Sequence, residues 1–188
     1  FAGFSLSASF VYTFNDILDL NADRNHITKK NRPFASGNLP IKWGLILLPA
    51  LFLGSVFFAM LLPPQYGFWI GIYFILNLAY SVYLKQSVVV DIIILSMMYT
   101  LRIFAGSAAT SIPISEWLLS FSTLFFFSLA CVKRYTEIIR SKNKITLDGR
   151  GYRSMDDSMI QPLGVGSGLI SILIVLLYLQ SNDVRSLY

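Results

Sequence analysis

The amino-acid sequence predicts an all-α fold, a polytopic bundle of transmembrane helices. Of the 188 residues, 55% are hydrophobic and only 13% are charged, whereas a soluble globular domain carries roughly 25% charged residues. Six apolar stretches are long enough to cross a bilayer, since a spanning helix needs about 17–25 such residues. The loops between these stretches differ sharply in charge, which is typical of a membrane protein with a fixed orientation.

The six predicted spans follow one another with mostly short connections. They cover residues 1–20, 41–62, 66–82, 88–109, 115–131 and 159–179. Pro63 and Pro64 end the second span, and Pro113 separates the fourth from the fifth, because proline interrupts helical hydrogen bonding. The first span starts without an initiating Met or a basic n-region, so we expect an excerpt of a longer membrane protein and not a signal peptide. We expect residues 1–188 to form a single transmembrane domain.

Basic residues distinguish three of the five loops from the other two. The first, third and fifth loops carry Lys and Arg, whereas the second (LLPPQYG) and the fourth (TSIPISE) contain neither. Basic loops remain on the cytoplasmic side of a membrane, so the first, third and fifth loops are predicted to be cytoplasmic. The net charge of +5 then describes a basic face suited to phosphorylated ligands or anionic lipid headgroups, and not to nucleic acid.

The end of the first span carries three aspartates. Asp16, Asp19 and Asp23 are spaced i, i+3, i+7, so on a continuous helix they share one face over about two turns. Carboxylates held this close repel one another at a membrane boundary, and a hard divalent cation relieves the repulsion. The cations that a diphosphate would need follow directly: Arg24, Lys29, Lys30 and Arg32. The pattern predicts a Mg²⁺–diphosphate site.

Further polar residues lie in the third loop and the fourth span. Tyr80, Tyr83 and Lys85 reach the same membrane face as the aspartates, although an aromatic belt with a snorkelling Lys has the same composition. Asp91 and Arg102 lie inside the fourth span, where ionisable side chains normally face the bundle interior. They are predicted to share a helix face about 16 Å from end to end. Arg102 would then need a carboxylate from another helix or a ligand phosphate.

The fifth loop, residues 133–158, begins with the sequence KRYTEIIR. Lys133 and Glu137 are spaced i, i+4, which fits a simple surface pair on a helix. The functional interpretation makes this loop a second polar wall opposite the first, with Lys133 and Arg134 binding phosphate and Glu137 supplying a carboxylate near the metal. Arg150, Tyr152 and Arg153 are predicted to form a lid.

Two motifs carry a resemblance to a known family. N-D-x-x-D-x-x-x-D at residues 15–23, followed by R-P-x-A-S-G at residues 32–37, resembles the first aspartate-rich motif of the UbiA superfamily of intramembrane prenyltransferases. The resemblance implies a nine-helix fold of which helices two to seven are present here, with Mg²⁺ as cofactor. It implies a catalytic set of Asp16, Asp19, Asp23 and Glu137, with the three aspartates as metal ligands. The implied substrate-binding residues are Asn15, Lys29, Arg32, Tyr80, Lys85, Arg102, Lys133, Arg134 and Arg153.

The second motif departs from the aromatic prenyltransferases of that superfamily, which usually carry another D-x-x-x-D there. This chain has K-R-Y-x-E at residues 133–137, with Y-S-x-x-L-K at 80–85, V-V-D at 89–91 and L-R-x-x-A-G at 101–106. These motifs are similar to those of the decaprenyl-phosphate phosphoribosyltransferase branch. The resemblance implies transfer of phosphoribose from phosphoribosyl diphosphate to a long-chain polyprenyl phosphate, in a bacterial plasma membrane with the site facing the cytoplasm; an oligomer is compatible with it.

Two alternatives stay open. One is an aromatic prenyltransferase with a degenerate second motif, which would use an isoprenyl diphosphate. The other is a transporter or lipid-binding membrane protein whose acidic cluster binds an ion. A transporter is expected to have inverted repeats and discontinuous helices near the membrane midplane, whereas the charges of this chain gather at one interface.

Overall fold

A computed structural model describes residues 1–25, 29–140, 151–152, 154–181 and 184. No β-strand occurs among these residues, and most of them lie in seven α-helices. The helices are α1 (Ala2–Leu18), α2 (Leu20–Arg24), α3 (Ile41–Met60), α4 (Pro64–Val82), α5 (Val90–Thr110), α6 (Glu116–Arg140) and α7 (Asp157–Gln180). Single 3-10 turns lie at Lys29–Asn31, Leu84–Gln86 and Ser154–Asp156. The all-α prediction is confirmed.

Each predicted span corresponds to one long helix, and four of them have the length and hydropathy of a membrane-crossing segment: α3, α5, α6 and α7. Their large apolar side chains are exposed, as for Leu53 (65%) and Leu169 (62%). Leaving such side chains in water forgoes about 1.5–3 kcal/mol each, and a lipid environment removes that cost. The chain is therefore an integral membrane protein. Helices α1 and α4 are 17 and 19 residues long, and their crossing stays a prediction.

Two helix boundaries differ from the sequence-based prediction. α1 ends at Leu18, because Asp19 has φ −90° and ψ 10° and forms the joint with α2. The sequence DLNADRN is rich in Asp and Asn, whose side chains compete for backbone hydrogen bonds and weaken a helix. In contrast, α6 continues through the second motif to Arg140. The segment KRYTEIIR contains neither Gly nor Pro, so nothing in it interrupts the helix.

The described residues pack into two compact units. The first comprises Phe1–Ser81 with Ala108–Thr110, and the second comprises the described parts of Val82–Ser107 and Ser111–Tyr188. Each unit has its own buried polar and apolar residues, and the two are taken in turn below. The expectation of one domain over residues 1–188 stays a prediction.

The first unit is built on close packing of α1 against α3. A Cβ on Gly44 would lie 2.6 Å from the Ile17 side chain, and one on Gly3 would lie 2.8 Å from Phe58. Between these contacts the hydroxyls of Ser7 and Ser55 are 2.6 Å apart, and both residues are fully buried. Small residues let two membrane helices approach closely, and paired hydroxyls satisfy each other away from water. α1 is therefore held firmly beside α3.

The second unit is built on α6 and α7 with α5. The hydroxyl of Ser128 on α6 donates to the carbonyl oxygen of Gly164 on α7 at 2.7 Å. A Cβ on Gly164 would lie only 2.8 Å from the Cβ of Cys131, so the absence of a side chain permits the approach. Tyr99 of α5 stacks on Phe126 of α6 with ring centroids 5.3 Å apart. These contacts give α6 a fixed neighbour on either side.

Candidate functional site

The first motif forms a cluster in which one arginine bridges two aspartates. Nη1 of Arg32 donates to Oδ1 of Asp16 at 2.9 Å and to Oδ2 of Asp23 at 2.8 Å. Asp23 is nearly enclosed, whereas the side chains of Asp16 and Arg32 are 26% and 40% exposed. We call these three residues the Arg32 cluster. It joins α1, α2 and the segment after the first 3-10 turn at a single guanidinium nitrogen.

The local sequence explains how Arg32 reaches the aspartates. The turn at Lys29–Asn31 closes with a hydrogen bond from the N–H of Arg32 to the carbonyl oxygen of Lys29. Phe34 is buried, and its ring would lie 3.0 Å from a Cβ on Gly44, which anchors the segment on α3. Gly37 has φ +83°, a conformation that glycine adopts without steric cost. In the R-P-x-A-S-G motif, Arg32 thus supplies a cation, Phe34 anchors the segment on α3, and Gly37 permits the turn.

Asn15, the first residue of the motif, is tied to the end of α4. The hydroxyl of Ser81 donates to Oδ1 of Asn15, and Ser81 is buried. This contact was not predicted from the sequence, although Ser81 stands in the Y-S-x-x-L-K motif. The serine of that motif therefore orients the asparagine of the first motif.

The described residues do not form a preassembled cage for a metal ion. Among them, no group of three or more His, Cys, Asp or Glu is arranged to hold one. The three aspartates are divided between two helices, with Asp19 at the joint of α1 and α2. Asp16 and Asp23 nevertheless converge on one cationic nitrogen, and Mg²⁺ is commonly bound by one or two carboxylates together with substrate phosphates. The residues fit a metal that arrives with a diphosphate.

The second motif contributes to a buried cluster in the second unit. Nε and Nη2 of Arg134 donate to the two carboxylate oxygens of Asp91, the latter at 2.9 Å. Nη1 of Arg134 donates to Oε2 of Glu137 at 2.6 Å, and the hydroxyl of Tyr152 donates to Oδ2 of Asp91 at 3.0 Å. Asp91, Arg134 and Tyr152 are fully buried, whereas the side chain of Glu137 is 29% exposed. We call these four residues the Asp91 cluster.

The charges of the Asp91 cluster explain how it tolerates burial. A buried ion costs several kcal/mol unless it is paired and hydrogen-bonded, and the bidentate pair of Asp91 and Arg134 meets both conditions. Burial and the Asp91 carboxylate raise the pKa of the Tyr152 hydroxyl, which keeps it protonated as a donor. With one cation and two carboxylates, the cluster carries a net charge of −1, and Glu137 is its partly exposed member.

Loop contacts close the Asp91 cluster on a second side. Val89, which directly precedes α5, has φ +68°. That conformation costs a β-branched residue of order 1–3 kcal/mol. A Cβ on Gly151 would collide with the carbonyl oxygen of Gln86, so only glycine permits this approach. The residues before α5 and those before α7 therefore interlock.

Three residues lie in surroundings that the sequence did not indicate. Arg134 was expected to bind phosphate; it is fully buried and donates to Asp91 and Glu137, and its contact with phosphate stays a prediction. Tyr152 was expected in a lid, yet it is buried against Asp91. Arg102 does not share the enclosed environment of Asp91: it is exposed, and its guanidinium carbon lies 5.0 Å from the centre of the Tyr99 ring.

The other predicted substrate-binding residues lie at four places. Tyr80 is buried near the end of α4, Lys29 and Lys85 lie in 3-10 turns, and Lys133 is exposed on α6. Arg153 lies outside the described residues. The substrate contacts of all five stay predictions.

A signal for the pairing of Asp91 was present in the sequence, since a carboxylate inside a span requires a cation and Arg134 stands near the end of a neighbouring helix.

Comparison with known proteins shows that both motifs lie in a region that matches a known family. The UbiA prenyltransferase family matches residues 1–142. Decaprenyl-phosphate phosphoribosyltransferase of Mycobacterium tuberculosis is 41% identical over 143 residues, which cover 73% of this chain and 46% of that protein. The same enzyme of Corynebacterium glutamicum is 36% identical over 141 residues, covering 74% and 42%. The resemblance of the motifs is thus confirmed for the superfamily, with relatives in the phosphoribosyltransferase branch.

Nodulation protein NoeC of Azorhizobium caulinodans is 34% identical over 187 residues, covering 98% of this chain and 61% of that protein. The chain spans about two fifths to three fifths of the length of these relatives. The family match includes the whole of both motifs. The chain belongs to the UbiA prenyltransferase family.

Proposed function

We propose that the protein containing this chain is a Mg²⁺-dependent intramembrane transferase. It moves 5-phosphoribose from phosphoribosyl diphosphate to a long-chain polyprenyl phosphate. The observation that carries the proposal is the second motif: it offers one partly exposed carboxylate, Glu137, which accepts a hydrogen bond from the buried Arg134. An aromatic prenyltransferase would be expected to offer a pair of acids there for a second metal ion. The relatives named as phosphoribosyltransferases support the same choice.

The first motif would bind the diphosphate end of the donor. Asp16, Asp19 and Asp23 would hold Mg²⁺, which when bound neutralises the leaving diphosphate as a Lewis acid. Arg32 balances Asp16 and Asp23, and its 40% exposed side chain is accessible to a phosphate. Lys29, in the adjoining turn, adds a second cation. These residues would hold the leaving group in place while the glycosidic bond breaks.

The transfer itself needs little proton movement. An oxygen of the lipid phosphate forms a bond to C1 of the ribose as the bond from C1 to the diphosphate oxygen breaks, and diphosphate departs with the electron pair. Because the lipid phosphate is already ionised at neutral pH, no general base is required. Positive charge that develops at C1 would be favoured by a nearby carboxylate, the role we give to Glu137. Lys133, exposed on α6, would bind one of the two anionic substrates.

The orientation follows from the basic loops. We infer that both motifs face the cytoplasm of a bacterial plasma membrane, since Lys and Arg gather in the first, third and fifth loops and such loops stay inside. The proposed partners are therefore a phosphorylated donor from the cytoplasm and a lipid acceptor from the bilayer, and not nucleic acid.

The test is a comparison of two substrate pairs with the full-length protein in lipid nanodiscs. One reaction contains labelled phosphoribosyl diphosphate and decaprenyl phosphate, and the other contains an isoprenyl diphosphate and an aromatic acid, each with Mg²⁺ or EDTA. We expect lipid-linked phosphoribose only in the first reaction and only with Mg²⁺. Prenylated arene without lipid-linked phosphoribose would instead support an aromatic prenyltransferase.

A further inference from the structure

We propose that Asp91 and Tyr152 are positioning residues that set the orientation of Glu137 through the buried guanidinium of Arg134. The inference rests on the proposed function, because it takes Glu137 as the group that meets the substrate. Neither Asp91 nor Tyr152 touches the substrate in this scheme. Both are fully buried, and their influence passes through hydrogen bonds alone.

The guanidinium provides a rigid connection. It is planar, and its donors point in fixed directions. Two of its nitrogens bond the two carboxylate oxygens of Asp91, and the third bonds Glu137 at 2.6 Å. Once Asp91 holds the first two nitrogens, the direction of the third is determined. The position of the Glu137 carboxylate on α6 therefore depends on the position of Asp91 on α5.

Tyr152 fixes Asp91 in turn. Its hydroxyl donates to Oδ2 of Asp91 at 3.0 Å. Val89 holds the strained φ of +68° directly before α5, and Gly151 lies too close to the Gln86 carbonyl oxygen for any Cβ. One hydroxyl therefore joins the start of α5 to the residues that precede α7, and it holds the carboxylate that orients Arg134.

The exposure of the four residues indicates which of them a substitution elsewhere in the cluster would affect at the surface. A buried ion pair contributes little to net stability compared with apolar packing of the same volume. Three members of the Asp91 cluster are enclosed, and Glu137 alone of the four is partly exposed. A change at Asp91 or Tyr152 therefore alters the position of the one group that a ligand can reach.

The first experiment changes a single hydroxyl in the full-length protein. Tyr152→Phe is compared with Tyr135→Phe, the same chemical change on α6 outside the cluster. Hydrogen exchange is followed at the amide of Asp91, whose N–H donates to the carbonyl oxygen of Ser87 at 3.0 Å at the start of α5, and kcat and KM are measured for phosphoribosyl transfer. We expect the Asp91 amide to exchange at least about tenfold faster in Tyr152→Phe, with kcat reduced about tenfold and KM for the donor changed less than about threefold, since displacement of a catalytic group acts mainly on the chemical step. Values equal to those of Tyr135→Phe would overturn the inference.

The second experiment separates charge from geometry. Arg134→Lys keeps the positive charge but loses the planar fork, so we expect kcat to fall more than about tenfold while the protein still binds its donor. A wild-type kcat in Arg134→Lys would mean that charge alone suffices and would overturn the inference. If Arg134→Lys does not fold, the comparison of Tyr152→Phe with Tyr135→Phe decides the matter by itself.

Glu137→Gln distinguishes the failure of this inference from failure of the proposed function. If Glu137→Gln loses kcat while Tyr152→Phe keeps it, the positioning inference fails and the role of Glu137 stands. If Glu137→Gln keeps wild-type kcat, Glu137 is not the presented group and both fail. If the wild type makes prenylated arene instead of lipid-linked phosphoribose, the proposed function fails, and exchange at the Asp91 amide with the kcat of prenyl transfer still tests the positioning inference.

Discussion

Arg32 occupies a position where a cation is required whether or not a metal is present. It neutralises Asp16 and the nearly enclosed Asp23 through one nitrogen, in a region that also contains Asp19. Without Arg32 these carboxylates would repel one another, and their burial would be uncompensated. In the proposed function, the same arginine would also contact a diphosphate that approaches with Mg²⁺. Two predictions follow from this double role.

Replacing Arg32 by Gln should destabilise the metal-free protein more than the metal-loaded protein. We expect a loss of about 1–2 kcal/mol in EDTA, since Asp23 loses its charged donor, and a smaller loss in millimolar Mg²⁺, which supplies the missing cation. The measurement is thermal unfolding in nanodiscs under both conditions. Lys30→Gln, an exposed change within the turn that precedes Arg32, is the control and should alter neither value. An equal loss with and without Mg²⁺ would contradict the shared role.

Asp16→Asn and Asp19→Asn should each abolish transfer without preventing folding. The physical reason is that an amide cannot replace an anionic oxygen as a Mg²⁺ ligand at this charge balance. We expect turnover to fall at least about a hundredfold, which corresponds to about 2.7 kcal/mol of barrier. Glu116→Gln, an exposed carboxylate at the start of α6, should retain wild-type turnover. A variant purified in normal yield with more than about a tenth of the wild-type rate would exclude that aspartate as a ligand.

The contact of α6 with α7 determines how the second motif is held. Ser128, Cys131 and Gly164 lie at this contact, and Arg134 and Glu137 follow one and two turns later on α6. Van der Waals packing of small residues is a main source of affinity between helices in a membrane. A widening of the α6–α7 contact should therefore both destabilise the fold and displace the Asp91 cluster.

Two glycines of α7 offer a matched pair for testing this contact. A Cβ on Gly164 would lie 2.8 Å from the Cβ of Cys131, whereas a Cβ on Gly166 would meet nothing within 4 Å. We expect Gly164→Ala to lower the free energy of unfolding by about 1–3 kcal/mol through overpacking. Gly166→Ala should be neutral or should stabilise the helix by up to about 1 kcal/mol. Unfolding in mixed detergent micelles gives both values, and equal values would contradict the packing described for α7.

The distribution of basic residues over the whole chain predicts its orientation in the membrane. The first, third and fifth loops contain Lys and Arg, and the second and fourth contain neither. Because both motifs lie at the basic ends of their helices, orientation and function are linked: a donor made in the cytoplasm can reach the site only if these ends are inside.

Single-cysteine labelling tests the orientation directly. In a full-length background from which Cys131 and any other cysteine have been removed, Lys30→Cys should react with a membrane-impermeant maleimide only after spheroplasts are permeabilised. Gln65→Cys, in the first turn of α4, should react in intact spheroplasts, because the basic loops hold the opposite side in the cytoplasm. The reverse labelling pattern would place both motifs outside and would remove the basis for a cytoplasmic donor.

Much of this protein could be predicted from the order of its residues. The six apolar stretches correspond to α1 and α3–α7, because helix length in a membrane depends on local hydrophobicity and on backbone hydrogen bonds satisfied within one segment. The motif at residues 15–37 indicated the family for a similar reason: its chemistry depends on residues that are near in sequence. Even there, the break at Asp19 was missed, since a spacing rule assumes that the helix continues.

The partners of Asp91 and Arg134 were decided by tertiary structure. Arg134 looks like a phosphate ligand on its own helix, but packing brings it beside Asp91 of α5 and encloses both. Desolvation then makes an unpaired charge prohibitive and turns the arginine from a surface cation into an internal connector. Sequence alone determined which residues are charged and which segments are apolar. Only the fold determined which charged side chains pair with one another in the interior and which, like Glu137, reach the surface.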